Sequence, residues 1–394
     1  MKLNGHLLTP SDIGDVNRSR VIQAFCDHGP LTRAELARMA GVTRATIGNI
    51  VSGLIDDGLI AEGPAREPNG QVGKPGRPLW FGPRAGLAGA VTIAPGSVEA
   101  ALVNARGELL ERADRTVGTD ADGKAIVKAV ASALREACGN SRKSLLGIGI
   151  AVPGVCDTDS GEVLGSGPVP GLVGAPLVAT VERGFRARVL VDNDSRALAL
   201  GEKWFGAGRG RSSFASVQTG HGIGVGLVLG GAVVRGATGS AGEAGHTTVV
   251  LDGERCRCGR RGCWETIASL GWLRKEGTRR KIRGASTMDA ASLADRAGGG
   301  DDPAAQLMHS YADNIAVGLA NLTQMLSPPF YIVHGDAVGG GEVFRALIEE
   351  RTRARVMSHM RPTVHVAFSE LDQRAALLGA AGLVLSETFQ LTAT

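Results

Sequence analysis

Apolar residues recur at helical spacing through the first sixty positions. Residues 17–29 (NRSRVIQAFCDHG) put Val21, Ile22 and Phe25 on one face and stop at Gly29-Pro30. Thr32 opens a short helix, RAELARMA, with Glu35 three residues on, the pairing of a capping box; Gly41 ends it. Thr43 opens a third helix, RATIGNIVSGLIDDG, with Ile47, Ile50, Val51 and Leu54 as its apolar stripe. LIAEG (59–63) then reads as a strand and LWFGP (79–83) as its return, joined by the Gly/Pro-rich stretch 65–78. Helix, tight turn, helix and a two-stranded wing predict a winged helix-turn-helix over residues 1–82.

From Leu87 the pattern changes. Short strands at 88–95, 98–105 and 108–117 precede a helix at about 123–137. LLGIGIAVPG (145–154) is a buried strand ending in a glycine turn. VLVDNDSRALALGEKWFG (189–206) is a strand running into a helix. A second hairpin follows at 213–234, then a long helix (303–326), a strand (330–336) and a final helix (374–385). Two lobes of hairpin plus helix imply a duplicated α/β fold with a central cleft over residues 83–394.

The 394 residues suit two or three domains, and the 43% hydrophobic content supports real cores. A net charge of +4 permits nucleic-acid binding without arguing for it, so that case rests on a local site. Thr43, Arg44, Thr46 and Asn49 lie at the exposed start of the third helix, where side chains reach phosphates and base edges of double-stranded DNA. In the wing, Lys74 and Arg77 lie in Lys-Pro-Gly-Arg-Pro, flat and extended enough to lay an arginine into a narrow minor groove. The first residues carry no signal-peptide core, and no apolar run is long enough to span a membrane, so a cytoplasmic location is expected.

In that compartment thiols stay reduced. Cys26, Cys138 and Cys156 stand apart in apolar contexts and read as buried free thiols. The other three cysteines crowd into GEAGHTTVVLDGERCRCGRRGCWE (242–265). His246, Cys256, Cys258 and Cys263 offer one imidazole and three thiolates, a tetrahedral set common in structural zinc sites. Gly259 and Gly262 let the chain bend around an ion, and Arg257, Arg260 and Arg261 can offset the thiolate charge. One closed, structural zinc per chain is expected.

Six segments in order, AVPG (151–154), DNDSRALALGE (192–202), TGHGIGVGLVLGG (219–231), GEAGH (242–246), CRCGRRGCWE (256–265) and ALLGAAG (376–382), resemble the ROK family (Repressor, ORF, Kinase). The resemblance implies the two-lobed actin-like sugar-kinase fold, the same four zinc ligands, and sugar hydroxyls held by Asn193, Asp194, Glu243, His246 and Glu265. A winged helix joined to this body is the arrangement of the family's regulators; its kinases lack it. The kinases' Asp-X-Gly-Gly-Thr nucleotide turn reads Thr92-Ile93-Ala94-Pro95-Gly96 here, without the acid and with a proline that has no N–H to give. Their Gly-Thr-Gly is Gly220-His221-Gly222, and a late apolar-glycine turn carries His334 and Asp336. The family's usual sugar-contacting asparagine is Pro168, which casts doubt on simple glucose as the ligand. The expectation is a sugar-responsive repressor without enzymatic activity, acting as a homodimer or homotetramer on a palindromic operator. The alternative is a sugar kinase with an appended DNA-binding domain.

Overall fold

The computed structural model describes residues 10–64, 76–82 and 85–389. The N-terminal part holds α1 (Pro10–His28), β1 (Leu31–Thr32), α2 (Arg33–Ala40), α3 (Arg44–Asp56), β2 (Ile60–Glu62) and β3 (Pro78–Phe81). Both anticipated caps form: Thr32 and Glu35 make the reciprocal capping box, and the Thr43 side chain accepts from the Thr46 N–H. β2 and β3 pair antiparallel as the wing. The two-residue β1, too short to carry a periodicity, adds a third strand beside β3.

The body contains two five-stranded sheets of the same plan. The first uses β4 (Leu87–Ala94), β5 (Ser97–Asn104), β6 (Leu109–Thr116), β7 (Leu145–Val152) and, after the short ribbon β8 (Val155–Cys156) and β9 (Val163–Gly165), β10 (Val189–Asn193). Its order is β10-β7-β4-β5-β6, with α4 (Gly123–Cys138) and α5 (Leu177–Phe185) on its outer face. After α6 (Asp194–Phe205), the second sheet uses β11 (Phe214–Thr219), β12 (Gly224–Leu229) and β13 (Ala232–Val233). The chain then passes α7 (Glu265–Ala268), α8 (Leu270–Arg279), α9 (Ala290–Gly298) and α10 (Asp302–Leu326) before β14 (Phe330–Gly335), α11 (Gly341–Arg355), β15 (His365–Phe368) and α12 (Ala375–Thr388). Its order, β13-β12-β11-β14-β15, repeats the first sheet's: a central strand, two antiparallel neighbours on one side and two parallel ones on the other.

Two helices cross between the sheets. α6 leaves the last strand of the first sheet and packs on β11 and β12 of the second; α12 leaves the second sheet and packs on β4 and β7 of the first. They meet at glycine. A Cβ on Gly379 would lie 1.7 Å from the Ala197 carbonyl oxygen, and one on Gly201 2.3 Å from that of Ala375. Backbone-to-backbone contact of this kind leaves no room for a side chain.

The C-terminal ends of α6 and α12 also meet the winged domain. Val21, Phe25, Val51, Leu54 and Leu79 share one core cluster with Leu200, Trp204, Leu383 and Phe389. Phe81 stacks on Phe389 at 5.6 Å and lies 6.3 Å from Trp204, which is 1% exposed. The chain has only four Trp, two Tyr and nine Phe. Concentrating Phe25, Phe81, Trp204, Phe205 and Phe389 here makes this junction a packed interface rather than a hinge on a string.

Candidate functional site

The carboxyl ends of the parallel strands gather the polar residues, as expected of open α/β sheets. Asn193 ends β10 and caps α6: its side-chain oxygen accepts from the Ser195 and Arg196 N–H groups, and its amide donates to the Gly154 carbonyl at 2.9 Å. Asp194 follows, half-buried, and its pKa is raised to about 6. Desolvation is the main cause, opposed by hydrogen bonds from Ser195 and reinforced by the neighbouring Glu243 carboxylate. Glu243 is exposed at the start of the single turn Glu243–His246.

One residue that positions these acids escaped the sequence reading. Arg196, 2% exposed, pairs with Asp192 at 2.5 Å and donates to the carbonyls of Gly239 and Ala241. It ties the segment leading to Glu243 onto the start of α6. The available signal was a charged residue inside the otherwise buried DNDSRALALGE stretch.

The four metal-ligand candidates come together. The ligand atoms of His246, Cys256, Cys258 and Cys263 all lie within 4.8 Å of one another. Cys258 and Cys263 sulfurs are 3.6 Å apart, and His246 Nδ1 lies 3.5 Å from Cys256 Sγ. A tetrahedron with Zn–S near 2.3 Å has edges of about 3.7 Å, close to both of these spacings, so the donor set suits such an ion. Gly262 holds the loop with φ +68°; a Cβ there would lie 1.6 Å from the Val250 carbonyl oxygen. Gly259 also takes positive φ, as the bend requires. Of the three loop arginines, only Arg260 serves the thiolates. Its backbone N–H, then its side chain, draw the Cys258 thiol down to about 7. Arg257 turns instead to Glu265, at 2.9 Å, and Arg261 to the Gly253 carbonyl. A carboxylate and a carbonyl offered those guanidiniums better-placed acceptors.

Glu265 is 6% exposed and also accepts from the Ile223 N–H at 3.2 Å. Its other oxygen is 4.0 Å from Cys256 Sγ, which places it against the metal loop. His246 directs Nδ1 to the thiol cluster, leaving Nε2 for a ligand. Thus Asp194 faces Glu243, and His246 and Glu265 each approach Cys256.

Pro95, His334 and Asp336, three of the positions that depart from the kinase pattern, have structural roles. Pro95-Gly96 closes a two-residue hairpin in which Ala94 faces Ser97. His334, 4% exposed, lies 2.9 Å from Ser216 Oγ and 3.6 Å from the buried Glu202 carboxylate; burial pushes its pKa down to about 4. Asp336 accepts from the Ala290 N–H at 3.1 Å and from the Tyr311 hydroxyl at 3.0 Å, anchoring the start of α9. Cys138 and Cys156 are buried free thiols, pushed up to about 11 by desolvation; the Cys26 side chain lies outside those described.

On the winged domain, Thr43, Arg44, Thr46 and Asn49 are all exposed on the first turns of α3. Arg77 is exposed at the foot of the wing, its guanidinium 3.6 Å from Glu62, which also pairs with Arg33. Lys74 falls outside the described residues.

This fold and site define a two-lobed sugar-kinase-like protein carrying a helix-turn-helix. The family model described as the ROK family matches residues 88–387, and the chain belongs to that family. It is 29% identical to a putative xylose repressor from Caldicellulosiruptor sp. (strain Rt8B.4), over 95% of this chain and 96% of the relative. It is 30% identical to a glucokinase from Thermotoga maritima, but over 72% of this chain against 92% of the enzyme. Among solved structures, a ROK family transcriptional regulator described as a homolog of the E. coli MLC protein superimposes with TM-score 0.77 over 96% of this chain and 98% of its own, at 24% identity. A ROK family glucokinase from Streptomyces griseus, in complex with glucose and AMPPNP, reaches TM-score 0.65 over 76% of this chain and 99% of its own, at 29% identity. The repressor-type matches run through the winged domain; the kinase matches cover about three-quarters of the chain. No described helix is long and apolar enough to cross a membrane.

Proposed function

We propose that the chain is a sugar-responsive transcriptional repressor of carbohydrate uptake or catabolism genes. Residues 1–82 bind the operator and residues 83–394 sense the effector. Thr43, Arg44, Thr46 and Asn49 face the major groove, and Arg77 with Lys74 the minor groove. Asn193, Asp194, Glu243, His246 and Glu265 surround the sugar. Zinc on His246, Cys256, Cys258 and Cys263 fixes the loop that presents His246 and Glu265. The protein acts as a homodimer or homotetramer, because paired recognition helices match a palindromic operator.

The observation that carries this reading is helix α6. Its first residues, Asn193 as cap and then Asp194, stand at the cleft, and its last, Trp204 and Phe205, are packed with Phe81 and Phe389 at the winged domain. One rigid helix therefore touches both the effector acids and the DNA-binding domain. A ligand that favours one arrangement of the lobes biases the seating of that domain. Thr92, Pro95, His334 and Asp336 argue against ATP chemistry, since the turn lacks its acid and the later groups are engaged internally.

The test combines operator selection from genomic fragments with quantitative binding. Arg44→Ala is expected to weaken the selected operator by about 1–3 kcal/mol at one base position, or uniformly if the contact is to phosphate. Unchanged affinity after removing residues 1–80 would overturn the reading. ATP consumption with a panel of sugars should stay at background, and metal analysis should give about one zinc per chain.

A further inference from the structure

We propose that Glu62 is a latch on the wing: in the free protein its carboxylate holds the Arg77 guanidinium back, and so limits how far a narrow minor groove can use that arginine. The inference deepens the operator-binding reading of residues 1–82 and rests on it.

Three segments distant in sequence meet at the foot of the wing. β3 begins at Pro78, directly after Arg77, and lies between β1 and β2. Thr32 of β1 stands opposite Pro78, and Glu62, the last residue of β2, stands opposite Leu79. The Gly63 N–H donates to the Pro78 carbonyl at 2.7 Å and closes this end of the ladder. Arg33, the first residue of α2, follows Thr32. A single carboxylate is thereby placed between a guanidinium of the helix-turn-helix and one of the wing.

The two arginines are not held alike. Arg33 makes a hydrogen-bonded ion pair with one carboxylate oxygen. Arg77 stands 3.6 Å from the other, too far for a hydrogen bond. The Arg33 hydrogen bond is the main cause that draws the Glu62 carboxyl below its ordinary pKa, and the Arg77 contributions are the smallest. The Arg77 side chain is 64% exposed, against 34% for Arg33. Its backbone, by contrast, is fixed. Gly76 crosses the α2 cap so closely that a Cβ there would lie 2.8 Å from Thr32 Cγ2. An anchored backbone with a loosely held guanidinium is what a side chain that changes partners requires.

The electrostatics give the direction. When Arg77 turns into DNA, Arg33 keeps the carboxylate paired, so no bare negative charge is left facing the phosphates. The attraction that Arg77 leaves behind still counts against insertion, and an exposed pair of this kind is worth up to about fivefold in an equilibrium. A narrow A·T-rich groove has the deeper negative potential and overcomes that attraction; a wider G·C-rich groove draws the guanidinium less. Glu62 therefore reduces the A·T preference that Arg77 supplies, and removing its charge restores it.

Oligo(dA)·oligo(dT) and alternating oligo(dG-dC) of equal length suit the test, because every register of each duplex presents the same kind of groove. Full-length wild type, Glu62→Gln, Arg77→Ala and the double variant are titrated with both at low ionic strength, where binding to any duplex is strongest. Glu62→Gln is expected to raise the preference for oligo(dA)·oligo(dT) by about two- to fivefold over wild type. In the Arg77→Ala background the same substitution should leave the preference unchanged, since there is no guanidinium to release. An equal or lower preference in Glu62→Gln overturns the latch; a lower one would make Glu62 a guide that aims Arg77. A rise of the same size in the Arg77→Ala background also overturns it, because repulsion between the carboxylate and the phosphates would then be the cause. Wild type that binds neither duplex overturns the DNA-binding reading itself, and the latch with it.

Discussion

The polar groups at the two ends of the cleft have different partners. Toward the nucleotide turn, His334 and Asp336 are satisfied by Ser216, Tyr311 and the Ala290 amide. Toward the sugar side, Asp194 is held in a desolvated place beside Glu243, and its pKa rises to about 6. Burial raises the Asp336 carboxyl as it raises Asp194, so the difference lies in the partners. Asp336 is held by donors from two other elements, whereas Asp194 accepts from its neighbour Ser195 and faces the Glu243 carboxylate, which leaves room for an outside donor. Substitutions on the two sides should therefore differ in kind: stability on one, sensing on the other.

The largest expected effect falls on the metal loop, which belongs to both categories. Cys263→Ser should lower bound metal from about one ion per chain to near zero, with loss of thermal stability and of any effector response. Metal analysis and calorimetry on the same sample check this; full metal content in the variant would remove Cys263 from the ligand set.

Next comes the nucleotide side. Asp336→Ala leaves the Tyr311 hydroxyl and the Ala290 amide without acceptors and should cost about 3 kcal/mol in urea denaturation. The effector response of the folded fraction should persist. Loss of response at unchanged stability would mean that this end of the cleft also binds ligand.

The sugar side should behave oppositely. Folded Asp194 titrates near 6 and the unfolded acid near its ordinary value, so the native state binds more protons between them. Stability associated with this group falls as pH rises through that window, and the cost is fully present above it. Asp194→Asn should thus stabilise the protein at pH 7.5, by roughly 1–2 kcal/mol after allowance for solvent screening, and have little effect at pH 4. A destabilising effect at pH 7.5 would show that the carboxylate has a favourable partner in the free protein.

The local signals in the sequence carried far. Caps at Thr32 and Thr43, the stripe from Ile47 to Leu54, and the Cys-X-Cys-Gly-X-X-Gly-Cys loop each depend on neighbours within about ten residues, so periodicity and spacing suffice to read them. The non-local arrangements stayed out of reach. Trp204 and Phe81 are 123 positions apart, and Glu202 and His334 132 apart; nothing in either stretch announces the other. Arg257 illustrates a third kind of miss. Its charge suggested service to the thiolates, but the choice between two acceptors is decided by geometry a few ångströms away. Asn193 shows a double use: the residue expected at the sugar is also the N-cap of α6, so substituting it would confound sensing with folding.

The most direct test of sensing at the cleft is operator titration of wild type and Glu243→Ala, with and without members of a sugar and sugar-phosphate panel. Glu243 is exposed, so its removal should leave stability and ligand-free operator affinity nearly unchanged. At least one panel member should change wild-type affinity by roughly five- to 150-fold and leave Glu243→Ala unaffected. A Glu243→Ala variant that responds with wild-type sensitivity would place the effector somewhere other than the Asp194–Glu243–His246–Glu265 cleft.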